Sequence, residues 1–350
     1  MSINNLVISV DAMGGDKSPR VVIEGLALAA KKNPDAKFLL FGDQTQITPI
    51  LSQFPALSKV CDVRHTTEMV RNEDKPSAVI RNRNTSMYMA IDAVRRGEAE
   101  AVVSAGNTGA LMAISKLVLK TITKIHRPAI VSIMPHREGK YVMLDLGANT
   151  ECNAINLAEF ALMGDILARH ALGIAKPRVA LLNIGAEEMK GKEEIRQAAH
   201  MIKNARMNLD FQGYIEPHEI PNGIADVIVA DGFTGNIALK SIEGTARLVV
   251  RMIKDAVKKS FMAKLGMPFM LGAMFKVKKT LDPRLYNGAM FVGLNGLSVK
   301  SHGGTDALGF SVAVGNAISL VRQNFVATIR EEVEKIDLDE LSQEVIYEVY

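Results

Sequence analysis

The chain has 350 residues, of which 48% are hydrophobic and 23% charged, and its formal net charge is +4. These proportions are typical of a soluble globular protein with room for one large α/β domain or two smaller ones. The sequence has no Trp and only 5% aromatic residues, so it offers little for stacking on bases, and nucleic acid is not expected as a partner. The two cysteines, Cys61 and Cys152, are far apart and fit a reducing cytoplasm without a disulfide framework.

Charge is distributed unevenly along the chain. Arg251 to Arg284 holds nine basic residues against two acidic ones, whereas Glu331 to Tyr350 holds eight acidic residues against one Lys. We therefore expect a basic segment in the last third, followed by an acidic C-terminal tail at 336–350. The first apolar run reaches Asp11 with no basic leader before it, so it is interpreted as a strand and not as a signal peptide. No apolar stretch approaches the length of a membrane span.

Short apolar runs alternate with helical periodicity along most of the chain. The runs predict strands at Leu6–Val10, Phe38–Phe41, Ala101–Val103, Ala129–Ile133, Tyr141–Leu144, Val179–Ile184 and Val227–Val229. The helical patterns cover Val21–Lys32, Thr85–Arg96, Ala110–Lys120, Ile155–His170, Glu193–Lys203 and Ile237–Lys259. Because several strands lack polar alternation, this order predicts a doubly wound, mostly parallel α/β sheet. Residues 1–335 are predicted to form a single domain.

A long helical stretch follows from about Ile237 to Thr280, interrupted at Gly266-Met267-Pro268. A Gly and a Pro this close end one helix and allow another to begin. We therefore expect residues 237–284 to form a protruding helical hairpin.

Small, polar clusters follow six of the apolar runs. They are DAMGGD (11–16), SAGNTG (104–109), DLGANT (145–150), NIGAEEMKG (183–191), DGFTGN (231–236) and SHGGTD (301–306). In an open parallel sheet, the loops after the carboxyl ends of the strands meet at one crevice, so we expect these six to share a site. Each loop taken singly also suits ordinary turn and helix-cap chemistry.

These loops are suited to an anion such as phosphate. Glycine lets backbone amides approach a ligand, and a helix that begins directly afterwards points free amides and its positive dipole end at the loop. Neither the P-loop pattern nor G-x-G-x-x-G is present, so a nucleotide is not indicated. His302 is a candidate oxyanion donor or base, or a structural hydrogen-bonder. The candidate phosphate or substrate ligands are Asp11, Gly14, Gly15, Ser104, Gly106, Asn107, Thr108, Gly109, Asn149, Asp231, Thr234, Gly235, His302 and Gly303.

Several linked motifs resemble the bacterial phosphate acyltransferase family. They are DAMGGD, DKPSAVIR, SAGNTGALMA, LLNIGAEEMKG, DGFTGNIALKSIEG and GLNGLSVKSHGGTDA, in this order over about residues 5–330. The resemblance implies that acyl phosphate is made from acyl-acyl carrier protein and inorganic phosphate, without a cofactor or a metal. It also implies that Lys190 and Asn236 are catalytic, and that the fold is similar to the isocitrate and isopropylmalate dehydrogenases and the phosphate acetyltransferases.

The same resemblance implies partners and a location. It implies a homodimer in the cytoplasm, associated peripherally with the inner face of the cell membrane, whose product goes to a membrane glycerol-3-phosphate acyltransferase. The hairpin tip carries apolar residues between two groups of lysines, which suits an anionic membrane surface. Packing of the hairpin against a dimer partner is the alternative for its helix bases. The predicted membrane-contact residues are Phe261, Leu265, Phe269, Met270, Leu271 and Phe275.

The sequence is also compared with two other functions that such loops could serve. A metal-dependent dehydrogenase on a related fold would need an acidic metal site, for which Asp11, Asp16, Asp145 and Asp231 are available. Nothing in the sequence supports its nicotinamide site. A non-catalytic, anion-binding membrane adaptor is disfavoured, because so many polar groups follow the predicted strands.

Overall fold

The computed structural model describes residues 6–204, 207–260, 262, 269–270, 272 and 282–335. Its strands are β1 (Leu6–Asp11), β2 (Ala36–Gly42), β3 (Cys61–His65), β4 (Ala101–Ser104), β5 (Ala129–Pro135), β6 (Lys140–Leu144), β7 (Arg178–Leu182), β8 (Asp210–Ile215), β9 (Val227–Val229), β10 (Ala289–Val292) and β11 (Leu297–Lys300).

The helices lie mostly between these strands. They are α1 (Arg20–Lys32), α2 (Gln44–Leu51), α3 (Pro55–Ser58), α4 (Pro76–Val79), α5 (Ser86–Arg95), α6 (Thr108–Leu119), α7 (Ala154–Leu167), α8 (Glu193–Asn204), α9 (Gly232–Lys259), α10 (Ala307–Arg322) and α11 (Phe325–Glu334). A π-helical turn, Ala168–Leu172, continues α7, and short 3₁₀ turns cover Ile220–Asn222 and Pro283–Tyr286.

The strands form one sheet in the order β3-β2-β1-β4-β11-β10-β5-β6-β9-β7-β8. In the part of the chain that the structure describes, seven of the ten neighbouring pairs are parallel. The pairs β11–β10, β10–β5 and β5–β6 are antiparallel. Because the strand direction reverses at each of these three consecutive pairs, β1, β4 and β11 run opposite to β6, β9 and β7. The predicted mostly parallel α/β sheet is confirmed.

The sheet is covered on both faces. Alternate residues of its strands, such as Val103 and Val299, join α1, α7, α8, α10 and α11 in one apolar cluster. Their neighbours in sequence, such as Val102, join α5 and α6 in a second cluster, against which the first turns of α9 pack. Since successive side chains of a strand point to opposite faces, the two clusters lie on opposite sides of the sheet.

All seven predicted strands are present, with ends that shift by no more than two residues. Strands β3, β8, β10 and β11 were not predicted. β3 and β8 are edge strands with charged or polar residues, and β10 and β11 are four-residue strands in a segment rich in Gly and Asn. Their short, interrupted apolar patterns are why the sequence did not indicate them.

Helix α9 begins at Gly232, five residues before the predicted start, and continues to Lys259. Residues 262, 269, 270 and 272 are helical, whereas the expected break at 266–268 lies outside the described residues. Of the predicted membrane-contact residues, Phe269 and Met270 are exposed. Phe261, Leu265, Leu271 and Phe275 lie outside the described part, as does the acidic tail at 336–350. The helical hairpin and the single domain over 1–335 therefore stay predictions.

Within the described residues, no helix is both long enough and apolar enough to cross a lipid bilayer.

Candidate functional site

Three of the six predicted loops meet at one edge of the sheet. They are residues 11–16, 104–109 and 301–306, which follow the neighbouring parallel strands β1, β4 and β11, and we call them the first loop cluster. The last residues of these strands are in register, with Asp11 beside Ser104 and Ser104 beside Lys300. Each follows a residue of the first apolar cluster, so all three side chains point to the face covered by α5 and α6. A polar row therefore crosses the strand ends.

Asp11 organises this row from a fully buried position. Its carboxylate accepts hydrogen bonds from the hydroxyls of Ser86 and Ser104, each at 2.7 Å, and from the backbone amide of Met13. Burial raises the pKa of Asp11, and the two serine hydroxyls oppose that rise by stabilising the carboxylate. A buried carboxylate would repel phosphate, so its contacts indicate that Asp11 holds the loops together.

Glycines allow the loops to touch. A Cβ on Gly14 would lie 2.6 Å from Asp11 Oδ2 and 2.6 Å from the amide nitrogen of Gly106. The amide of Gly106 itself donates to Ser104 Oγ at 3.0 Å. Gly15 has a φ of +105°, which favours glycine. The first loop cluster therefore depends on the absence of side chains at these positions.

The loops are also joined by polar contacts. The amide of Asp16 donates to the carbonyl of Gly303 at 3.0 Å, and Asp16 Oδ1 accepts from Asn72 Nδ2 at 2.9 Å. Asn107 caps α6 by accepting from the amide of Ala110, and its Nδ2 donates to the carbonyl of Asn72. Thr108 is thus the first residue of a helix whose N-terminus faces the cluster.

Lys300 is the cation of the polar row, and it is only 9% exposed. Its Nζ donates to the carbonyls of Ser301 and, at 3.4 Å, Ala105. It forms no salt bridge with any carboxylate of the described ranges. Burial lowers the pKa of Lys300 from 10.5 to about 8, while Asp11 and Asp16 oppose the shift.

His302 follows Lys300 and Ser301 and is exposed. Its Nδ1 accepts from the amide of Gly304 at 3.1 Å, and its own amide donates to Asn287 Oδ1 at 3.0 Å. The neutral ring therefore carries its proton on Nε2, which is the nitrogen that can donate to a ligand.

The other three loops, residues 145–150, 183–191 and 231–236, follow β6, β7 and β9 and form the second loop cluster. Asp145 is buried at its centre. Its carboxylate accepts from the amides of Ile130, Ala148 and Asn149 and from Asn149 Nδ2, at 2.7 to 3.0 Å. Burial raises the pKa of Asp145 despite these donors. Like Asp11, it holds loops together.

Asp231 and Thr234 form the cap of α9. Asp231 accepts from the amide and the hydroxyl of Thr234 at 2.7 and 2.9 Å, and Lys192 Nζ lies 3.3 Å from Asp231 Oδ2. Gly235 lets α9 approach β6, because a Cβ there would lie 2.0 Å from the carbonyl oxygen of Asp145. Lys190 is exposed and pairs with Glu187 at 2.8 Å, which raises the pKa of the Lys190 ammonium.

The three antiparallel pairings reverse the chain between β11 and β6, so the strands that carry the first loop cluster run opposite to those that carry the second. That all six loops share one site stays a prediction. Helix α9 nevertheless leads from one to the other. Asn236 lies in its first turn, beside Gly147, and Lys240, one turn further on, is close enough to Lys300 to contribute to its lowered pKa.

The structure thus sorts the predicted ligands by role. Six of them use their side chains for hydrogen bonds within loops and helix caps: Asp11, Ser104, Asn107, Asn149, Asp231 and Thr234. Gly14, Gly15, Gly106, Thr108, Gly109, His302 and Gly303 lie in the first loop cluster, and Lys190, Gly235 and Asn236 lie in the second. Sequence reasoning missed Asn72 and Lys300. The only signal for Lys300 was its place before the SHGGTD loop, because β11 had not been predicted.

In the ranges that the structure describes, no three His, Cys, Asp or Glu side chains gather as a metal site. The four acids available for a dehydrogenase metal have other partners. Asp11 accepts from serine hydroxyls, Asp16 from Asn72, Asp145 from backbone amides, and Asp231 from Thr234 and Lys192.

Comparison with known proteins identifies close relatives. Residues 6–328 match the family described as "Fatty acid synthesis protein". A protein of Rhodospirillum rubrum named phosphate acyltransferase is 50% identical over 336 residues, which cover 96% of each chain. One of Rhodospirillum centenum with the same name is 51% identical over 330 residues, 94% of this chain and 93% of its own.

Among solved structures, a phosphotransacetylase from Streptococcus pyogenes has the same fold, with a TM-score of 0.62 at 16% identity, over 91% of this chain and 94% of its own. A branched-chain phosphotransacylase from Enterococcus faecalis gives a TM-score of 0.54 at 13% identity, over 90% of this chain and 99% of its own.

Proposed function

Because the chain belongs to the phosphate acyltransferase family and is an acyltransferase, we propose that it transfers the acyl group of acyl-acyl carrier protein to inorganic phosphate. One phosphate oxygen bonds to the thioester carbonyl carbon, the carbon–sulfur bond breaks, and the carrier leaves as its thiol. The thiol takes up the proton that hydrogen phosphate gives up. The products are acyl phosphate and free carrier, and the acyl phosphate serves a membrane glycerol-3-phosphate acyltransferase in phospholipid synthesis.

The observation that carries the proposal is the contact between the three glycine-rich loops of the first loop cluster. They come from neighbouring parallel strands and meet where α6 and α10 begin. Backbone amides and helix N-termini brought together in this way favour a tetrahedral anion. We assign phosphate to this cluster.

Asn236 and Lys190 are assigned to the acyl side of the reaction. Asn236 is exposed on the first turn of α9, the helix that leads from the second loop cluster towards Lys300. Its amide is a neutral donor for the oxyanion that forms when phosphate attacks, and Lys190 is an exposed cation for the same charge. Thiolate is a tolerable leaving group, so a strong general acid is not required.

The test is release of free thiol from acyl-acyl carrier protein with and without inorganic phosphate, with no metal or nucleotide added. We expect thiol release only with phosphate, together with an equal amount of acyl phosphate. Asn236→Ala and Lys190→Ala should each lower the rate by about 100-fold, the range for loss of one oxyanion donor. Lys32→Ala, at the exposed end of α1, is the control and should keep the rate. Thiol release that does not need phosphate would contradict the proposal, and full activity of both variants would overturn the residue assignment.

Location and assembly are part of the proposal. We assign the protein to the cytoplasmic face of the membrane as a homodimer, with the exposed Phe269 and Met270 at the lipid surface. The neighbouring lysines would attract anionic headgroups.

A further inference from the structure

Lys300 is in an unusual electrostatic position for a lysine. It is 9% exposed, and its two hydrogen-bond acceptors are neutral carbonyls, those of Ala105 and Ser301. The nearest acids are already engaged, Asp11 by two serine hydroxyls and Asp16 by Asn72. A buried cation that forms no direct salt bridge is costly, and an anion bound beside it would relieve that cost.

The surroundings of Lys300 offer donors for the same anion. The backbone amides of Gly15, Gly303 and Thr108 donate to no other described residue, and all three lie in the first loop cluster. Thr108 begins α6, which packs on the face of the sheet to which Lys300 points. A cation, free amides and a helix N-terminus are therefore gathered in the first loop cluster.

We propose that Lys300 is the cation that binds the phosphate substrate, with Nζ contacting a phosphate oxygen. The inference rests on the proposed function and adds a residue that touches the substrate. It also gives a reason for burying a lysine at a strand end, since an ion pair with phosphate is strong where water is excluded.

The proposal requires Lys300 to be protonated when phosphate binds. The charged groups near it are Asp11 and Asp16, which favour the ammonium, and Lys240, which disfavours it. Burial outweighs them and lowers the pKa of Lys300 to about 8. A lysine is charged below its pKa, so affinity for phosphate should fall as the pH rises through this value, while phosphate remains a dianion.

Binding of inorganic phosphate alone tests the inference, by the rise of the thermal midpoint with phosphate concentration. At neutral pH, Lys300→Met should lower the affinity for phosphate by about 10- to 100-fold, the value of one hydrogen bond to a charged group. Lys32→Met is the matched control and should bind as the wild type does. Without phosphate, Lys300→Met should be at least as stable as the wild type, because a buried charge is replaced by an apolar side chain. Unchanged phosphate binding by Lys300→Met would overturn the inference.

Lys300→Arg provides a test that does not depend on the Met variant folding. Arginine keeps its charge at all accessible pH values, so its affinity for phosphate should stay constant from neutral pH to about one unit above pH 8, where that of the wild type falls. The same fall in both proteins would contradict the proposed role.

A phosphodiester, such as that of the carrier's prosthetic arm, presents similar oxygens. Dimethyl phosphate is therefore measured in parallel. If Lys300→Met weakens only the diester, Lys300 serves the carrier and the inference is wrong. These measurements contain no acyl carrier, so they are independent of whether acyl phosphate is formed. Conversely, if phosphate binds through Lys300 but no acyl transfer occurs, the proposed function is wrong and the inference about Lys300 stands.

Discussion

The first loop cluster is packed so closely that one added carbon atom would not fit at its glycines. Asp11 lies at its centre, and Gly14 and Gly106 pass within contact distance of its carboxylate and of each other. Any added side chain must push two loops apart. The strain would be transmitted directly to the amides that we assign to phosphate.

Gly14→Ala should therefore be destabilising and inactive. The new methyl group would lie 2.6 Å from both Asp11 Oδ2 and the amide nitrogen of Gly106. We expect a loss of about 1–3 kcal/mol in the free energy of unfolding, typical of an overpacked site, and at least a tenfold loss of acyl phosphate formation. Chemical denaturation and the thiol assay measure the two effects.

Gly315→Ala is the matched control. It lies inside α10 with no atom within 4 Å of the added Cβ. Because alanine is the better helix former, this variant should gain about 0.5–1 kcal/mol and keep full activity. Equal effects of the two substitutions would contradict the explanation by close loop contacts.

For single residues, the sequence indicated which residue types occupy the loops but not what each side chain does. Glycine, Asn and Asp at strand ends were recognised, yet Asp11 and Asp145 turned out to bind their own loops. That distinction depends on which hydroxyls and amides reach each carboxylate. Lys300 was missed because its burial comes from the neighbours of β11, which pairs with β4 nearly 200 residues away in sequence.

At the scale of elements, the long apolar runs were sufficient to predict the central strands and most helices. They did not give the direction of the strands. β10 and β5 interrupt the parallel pairing, and this separates the six loops into two clusters. An apolar run buried on both faces has the same pattern in either direction, so the sequence does not show which neighbouring strands are antiparallel.

The helical segment after α9 is the element assigned to the membrane. Phe269 is 93% exposed and Met270 56% exposed, which is unfavourable in water for a pair of large apolar side chains. The double variant Phe269→Ser, Met270→Ser should bind anionic vesicles about tenfold more weakly, because the apolar area that enters the lipid is lost. Vesicle flotation measures this binding.

The control is Leu117→Ser, which removes an exposed apolar side chain on α6, outside the segment. It should leave vesicle binding unchanged. If the double variant floats with vesicles as the wild type does, the contact with lipid lies elsewhere.

At the scale of the whole molecule, α9 offers a surface for the proposed homodimer. Its second half exposes Leu248, Val249, Met252 and Ile253, which are spaced as one helical stripe. An exposed stripe of this kind favours a second copy of the chain, in agreement with the predicted homodimer.

Leu248→Glu combined with Met252→Glu should convert the proposed dimer into a monomer, because buried charges of the same sign would face their symmetry mates. Light scattering after size-exclusion chromatography gives the mass. Lys254→Glu, at another exposed position on the same helix, should remain dimeric. A dimer that survives both glutamates would exclude this surface as the interface.

The position of β11 has a consequence for synthesis of the protein on the ribosome. β11 lies between β4 and β10, and its helix α10 packs on α1, so the N-terminal strands acquire their last neighbour only when residue 300 has emerged. Until then the nascent chain presents β4 as an open edge, which is a template for pairing with other chains. A transcript that stops before codon 297 should therefore yield an aggregating product, and a chaperone would be needed late in translation rather than early.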